Sequence, residues 1–140
     1  MRRLKRFLRL SRPERALLLQ AIVSVIVVRL ALPCLSLAKV RQLLDRMIWR
    51  IPGNFAADRI VWAIRAAARL MPGSTCLIQA LAARALLVRY GHNARLNIGV
   101  TKSGQVSFQA HAWVTCDEVV VIGGPEVKSY TLLLNLGTLP

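Results

Sequence analysis

CLIQALAARALLVRYGHNARLNIGV, residues 76–100, changes its period once, at His92. Before that point the residues read as a helix, and Gly91 stands where a helix C′ residue belongs. Arg84 and Arg89 fall toward the negative end of that helix. After His92, Leu96, Ile98 and Val100 alternate with other residues, which is the period of a strand. The chain therefore passes from helix to sheet within a few residues.

Reading onward, Thr101-Lys102-Ser103-Gly104 supplies a turn and SFQAHAWVTC, residues 107–116, a second strand. Asp117-Glu118 is a second, tight turn, and VVVIGG (119–124) is a third strand ended by glycines. The tail PEVKSYTLLLNLGTLP, residues 125–140, is apolar but irregular and suits a last strand or a short helix. Reading backward, DRIVWAIRAAARLMPG (58–73) sets Ile60, Val61, Ile64, Ala67 and Ala68 at helical spacing. Asn54 and Asp58 stand at its start, and Met71-Pro72-Gly73 stops it. VRQLLDRMIWRIPG (40–53) is a further amphipathic helix stopped by Pro52-Gly53. Helices first and an antiparallel sheet second make an α+β domain.

The run ALLLQAIVSVIVV, residues 16–28, holds only two polar residues, Gln20 and Ser24. A membrane span needs about 20 apolar residues. Bridging Arg29 would reach that length, but an Arg near mid-bilayer costs about 2.5–3.5 kcal/mol, and Pro33 follows. A buried or partner-packed helix is thus preferred to an interfacial membrane helix, and both to a span. Ahead of it, MRRLKRFLRL is a basic helix with Leu4, Phe7 and Leu8 at helical spacing. Ser11 can cap the helix that follows, and Pro13 can open it.

Charge separates the two parts of the chain. Residues 1–50 hold twelve of the 20 Lys and Arg with only Glu14 and Asp45 as acids, a net of +10 within a total of +14. Such a segment calls for an anionic partner: nucleic acid, an anionic membrane surface or an acidic protein. Nucleic acid fits poorly, because aromatics are only 6% of the chain and none form a stacking series among the arginines. The expected division is a basic helical segment over 1–53 and a second domain over 54–140.

Three cysteines, Cys34, Cys76 and Cys116, form no CxxC pair, and the two histidines are too far apart for metal-ligand spacing. No cofactor and no metal is expected. The odd count and the lack of a small-residue cleavage site argue for free thiols in the cytoplasm, with membrane association through the N-terminal helices an open option.

Cys76 stands in the first turn of its helix with Ser74 or Thr75 as N-cap, where unpaired N–H groups and the helix dipole favour a thiolate. By itself this is equally a small buried residue. His92, at the far end of a helix about 22 Å long, is in the wrong place to act as its base. His111 lies mid-strand in QAHAWV, sharing one face with Trp113 and Thr115, while Ala112, Val114 and Cys116 take the other. A polar ring in an apolar strand needs a partner if buried, and the flanking alanines leave room beside it. Trp113 more plausibly shields such a site than reacts.

STCLIQALAARALLVRYGHNARLNIGV followed by FQAHAWV resembles the transglutaminase-like family that includes the leader peptidases of lasso-peptide biosynthesis. The match runs from about Asp58 to Gly124, with a helix-opening Cys-Leu, a YGHNA helix end, an IGV strand and an AHAWV strand in that order. The resemblance implies a papain/transglutaminase-like α+β fold, with Cys76 as nucleophile above His111 as base. It implies a cysteine peptidase that removes the leader of a ribosomally made precursor peptide through a thioester. It further implies partners: the precursor, a separate small leader-recognition protein, since no recognition domain is evident in residues 1–50, and an ATP-dependent macrolactam cyclase.

The family's triad acid lies on the strand after the histidine. With a two-residue turn at 117–118, residue 116 faces 119 and His111 faces Gly124, or Gly123 with a one-residue shift. Neither glycine can orient an imidazole through a side chain. Asp117 at the turn tip would lie about 20 Å from His111, which leaves Glu126 or a main-chain carbonyl as stand-ins. Two other readings stay open: a different transglutaminase-like amide hydrolase or acyltransferase, and a non-catalytic scaffold of the same fold.

Overall fold

The computed structural model describes residues 2–47, 54–103, 107–123 and 131–136. Helices α1 (Arg2–Leu8), α2 (Arg12–Ala31), α3 (Leu37–Met47), α4 (Ala57–Leu70) and α5 (Cys76–Arg89) precede strands β1 (Ala94–Ser103), β2 (Ser107–Cys116), β3 (Val119–Ile122) and β4 (Thr131–Leu136). The sheet is antiparallel in the order β3-β2-β1-β4, so the irregular tail resolves as an edge strand beside β1. The α+β reading holds.

The centre of the molecule is α5. Its sequence offers no polar side, so it is stable only where it is covered all round. Residues Ala80 to Leu87 are buried without interruption. They pack against α2, α3 and α4 and against β1 and β2. Four alanines, Ala80, Ala82, Ala83 and Ala85, let these neighbours approach closely.

Its C-terminus shows how local sequence fixes the turn to the sheet. Gly91, at φ +85°, is the left-handed C′ residue; its N–H donates to Val88 O (3.1 Å) and that of His92 to Leu87 O (2.9 Å). That is a Schellman closure. His92 is half-buried, and its Nε2 meets the Phe55 carbonyl at 2.7 Å. Phe55 in turn stands edge-on to Tyr90, with ring centroids 5.2 Å apart.

The two polar residues of the apolar run face inward. Tyr90 Oη donates to Gln20 Oε1 (2.8 Å), and Ser24 Oγ donates to the Gln20 carbonyl (2.7 Å). Leu17, Ala21, Val25 and Val28 of the same helix are fully buried. Ser11 caps α2 with Glu14 in a reciprocal capping box. No helix among the described residues is long and apolar enough to cross a membrane. Because α2 and α3 contribute Leu17, Val25, Val40 and Leu44 to the same core as α4, α5 and the sheet, packing is continuous across the interval 48–53.

Arg84 corrects a sequence expectation. It does not decorate an exposed helix end; it is 3% exposed. Burial pushes its guanidinium below the usual range, Arg41 adds to this, and Asp45 of α3 opposes it. The carboxylate of Asp45 thus offsets part of the desolvation cost. A further difference lies at α4, which begins at Ala57 with Ala56 as an N-cap lacking a side-chain bond, so Asn54 does not cap it.

The β2–β3 hairpin turns on two residues, as expected, with Cys116 opposite Val119. Asp117 (φ 50°) and Glu118 (φ 67°) are both left-handed, as a type I′ turn requires. A side chain there costs about 1–2 kcal/mol per residue, less the extra entropy a glycine loses on folding. Glu118→Gly should therefore raise stability by about 0.5–1 kcal/mol, read as a higher urea midpoint at unchanged slope. A lower midpoint would contradict the assigned turn.

Candidate functional site

Cys76 is the first residue of α5 and is half-buried against the edge of the core. Of the two capping candidates, Thr75 does the work. Its Oγ1 accepts from Ile78 N (3.4 Å) and its carbonyl from Gln79 N (3.1 Å). Ser74 instead donates to Met71 O (2.9 Å) and its own carbonyl accepts from the Gln79 side chain (3.3 Å), which closes the turn that follows α4. Gly73 makes that turn possible at φ +84°. Among the described residues no hydrogen bond takes up the Cys76 N–H. The thiol thus sits beside an available backbone donor at the positive end of a fully packed helix.

The other two thiols are placed differently. Cys34 is exposed in the turn after α2. Cys116 is buried, and burial, with Asp117 adding to it, pushes its thiol up. It is correspondingly inert at neutral pH.

His111 is half-buried on β2, opposite Gly99 of β1. The strand alternates as expected. Ala112 and Val114 enter the core shared with α5, and His111 and Trp113 belong to the other face. The rings of His111 and Trp113 lie nearly parallel, 19° apart in plane, with centroids separated by 6.2 Å. Trp113 itself is buried.

One polar partner of the histidine is main chain. His111 Nε2 lies 2.7 Å from the carbonyl oxygen of Gly123. A carbonyl only accepts, so Nε2 carries the proton of this bond and Nδ1 is the basic nitrogen of the neutral ring. Simple pairing would have set His111 opposite Gly124. A bulge intervenes: Thr115 pairs with Val120 but Val114 pairs with Ile122, so Val121 is the extra residue. The bulge brings Gly123 against Trp113 and turns its carbonyl to the imidazole. Gly124 and Glu126 lie outside the described residues.

Gly123 occupies its place for two reasons. Its φ is +112°, and a Cβ there would lie 2.3 Å from Trp113 Cβ and 2.9 Å from Trp113 Cα. No side chain fits that approach, so glycine is the residue that lets the backbone reach the histidine. The position read from sequence as lacking an acid is thus filled by a main-chain oxygen. A GG pair ending a strand, two positions from a bulge, is the sequence trace of this arrangement.

The predicted pair lies on elements that pack together, α5 on β2. Among the described residues no hydrogen bond joins Cys76 to His111. Nor does any group of three or more His, Cys, Asp or Glu stand ready to hold a metal ion among them.

No curated protein and no solved structure matches the chain. A family model does, over residues 21–135, from the third turn of α2 into β4. It describes a superfamily typified by cysteine-based amide hydrolases and acyltransferases. With its helix-opening cysteine, its strand histidine and a match covering most of its length, the chain belongs to the transglutaminase-like superfamily.

Proposed function

We propose that the protein is a cysteine peptidase that removes the leader from a lasso-peptide precursor. The observation that carries the catalytic part is the bond from His111 Nε2 to the Gly123 carbonyl. It fixes the ring and its tautomer, as the third member of a catalytic triad does. The helix–sheet connection supports the pairing with Cys76. The chain leaves α5 at Gly91 and enters β1 at Ala94, which pairs with Cys116. From that corner α5 runs back about 21 Å to Cys76, and β2 runs back about 17 Å to His111. Both groups therefore stand toward the same end of the helix–sheet pair.

In this reading the Cys76 thiol passes its proton to His111 Nδ1 and the thiolate attacks the scissile carbonyl carbon. The oxyanion that forms is met by the Cys76 N–H. The imidazolium returns the proton to the departing amine, leaving a thioester, which a water activated by the same imidazole hydrolyses. His111 lies on the sheet face away from Ala112 and Val114, which pack with α5, so this step requires the thiol and the imidazole to meet at the shared end of the helix–sheet pair. The precursor peptide, a small recognition protein that presents its leader and an ATP-dependent macrolactam cyclase complete the proposed pathway. A non-catalytic member of the superfamily is the second reading, favoured by the lack of a hydrogen bond between the two groups.

Three measurements separate these readings. Cys76→Ala should abolish release of the leader when precursor and recognition protein are incubated with the enzyme and followed by mass spectrometry; native-rate release would end the proposal. His111→Ala should slow iodoacetamide alkylation of Cys76 at neutral pH and leave the exposed Cys34 untouched. Equal Cys76 rates in both proteins would favour the non-catalytic reading. Gly123→Ala, which forces the carbonyl away from the ring, should lower kcat by about tenfold or more and move the pH profile of kcat/KM, with KM little changed. An unmoved profile would show that the carbonyl does not orient the base.

A further inference from the structure

The outer side of α2 is apolar. Leu19 (53% exposed), Val23 (45%), Ile26 (39%) and Leu30 (70%) follow one another at helical spacing on the side away from Leu17, Val25 and Val28. They form an aliphatic ridge about 16 Å long. Between its charged ends the helix therefore presents hydrocarbon on its solvent side, while its two uncharged polar residues, Gln20 and Ser24, are turned into the core. A contiguous apolar ridge of this kind on a chain otherwise rich in charge marks a contact surface.

Its surroundings identify the contact. Arg12 and Arg29 are exposed at its two ends. Helix α1, at the N-terminal end, carries Arg2, Arg3, Lys5 and Arg6, with Leu4 and Leu8 exposed one turn apart. Arg15 fastens α1 to α2: its Nε donates to Leu10 O (3.0 Å), a second nitrogen donates to Leu8 O, and its guanidinium lies over the Phe7 ring at 5.9 Å. Yet α1 has seven residues and buries none of them. A helix that short gains too little from its own hydrogen bonds to persist in water, so it needs a surface to lie on.

We propose that α1 and the outer ridge of α2 together dock the protein on an anionic lipid bilayer. Three features select lipid. The exposed residues of the ridge are aliphatic, without the aromatic anchors of a protein interface. Leucines set between long cationic side chains suit an interfacial helix, whose hydrocarbon enters the acyl boundary while the guanidinium groups stay with the phosphates. A second copy of this chain is disfavoured, because residues 1–50 carry a net +10 and two such faces would repel. The surface belongs to α1 and α2 and is independent of the catalytic reading.

The test is co-sedimentation of the full chain with vesicles of phosphatidylcholine alone and of phosphatidylcholine mixed with phosphatidylglycerol. The chain should pellet with the mixed vesicles and stay in solution with the neutral ones. Neutralising Arg3 and Arg6 with glutamine should lower the partition coefficient roughly fivefold for each charge. Leu19→Gln with Ile26→Gln should lower it by at least about tenfold. Both residues are exposed, so Tm and the circular dichroism spectrum should not change. The proposal is overturned if the chain ignores both vesicles, pellets equally with both, or pellets undiminished in the Leu19→Gln/Ile26→Gln protein. A chain that ignores vesicles but forms a stoichiometric complex with an acidic protein through this ridge would also overturn it, in favour of a protein partner.

Discussion

A helix with alanine and leucine on every side must be covered from every side, and α5 is covered by three helices and three strands. That requirement organises the domain. α2 lies against α5 with Leu17, Ala21, Val25 and Val28, and α4 with Ile60, Ile64 and Ala67. The sheet closes the remaining side with Leu96, Ala112 and Val114. Covering α5 also fixes both of its ends. Its C-terminus is locked by Gly91 and tied to Phe55 through His92 and Tyr90. Its N-terminus, carrying Cys76, is held at the margin of the core, half-buried and next to an N–H without an acceptor among the described residues. The same packing that stabilises the fold therefore prepares the position of the thiol.

Much of this was legible in the residues. Punctuation by Ser11-Arg12-Pro13, Met71-Pro72-Gly73 and Gly91 marked helix ends that the structure shows. The strand alternation sorted His111 and Trp113 from Ala112 and Val114 correctly. The parts that were not legible are those set by three-dimensional neighbours. A buried Arg84 cannot be told from a helix-end cation without knowing that α3 brings Asp45 alongside. Gln20 and Ser24 read as interruptions in an apolar run, because the Tyr90 hydroxyl that satisfies Gln20 is 70 residues away. The bulge at Val121 has no strong local signal, since three valines in a row fit either register. That single displaced residue decides which backbone oxygen meets the histidine.

A carbonyl in place of a carboxylate changes what the histidine can do. Both accept the Nε2–H and fix the tautomer, but the carbonyl offers a dipole where the carboxylate offers a full charge, so it stabilises an imidazolium less. In a reaction that passes through a thiolate–imidazolium pair, part of the stabilisation must then come from the other side, from the helix end at Cys76. The Trp113 ring stacks its face beside the imidazole. A main-chain acceptor also cannot be rotated away or protonated. The arrangement exchanges electrostatic strength for rigidity, and that rigidity rests on Gly123, whose contact with Trp113 leaves no room for a Cβ.

The two faces of α2 connect the site to its surroundings. The inner face carries the side chains that hold α5, including the Gln20–Tyr90 bond near the helix end from which β1 begins. The outer face carries the ridge. Because the family match starts at residue 21, α1 and the first turns of α2 stand outside the part of the fold shared across the superfamily. Burying α5 requires only one side of α2, so the identity of the other side is free to be set by where the protein works. Polar residues there would satisfy the fold equally well and improve solubility. That aliphatic residues occupy it, flanked by the densest positive charge in the chain, is a cost to the isolated protein that the proposed contact with an apolar, anionic surface would offset.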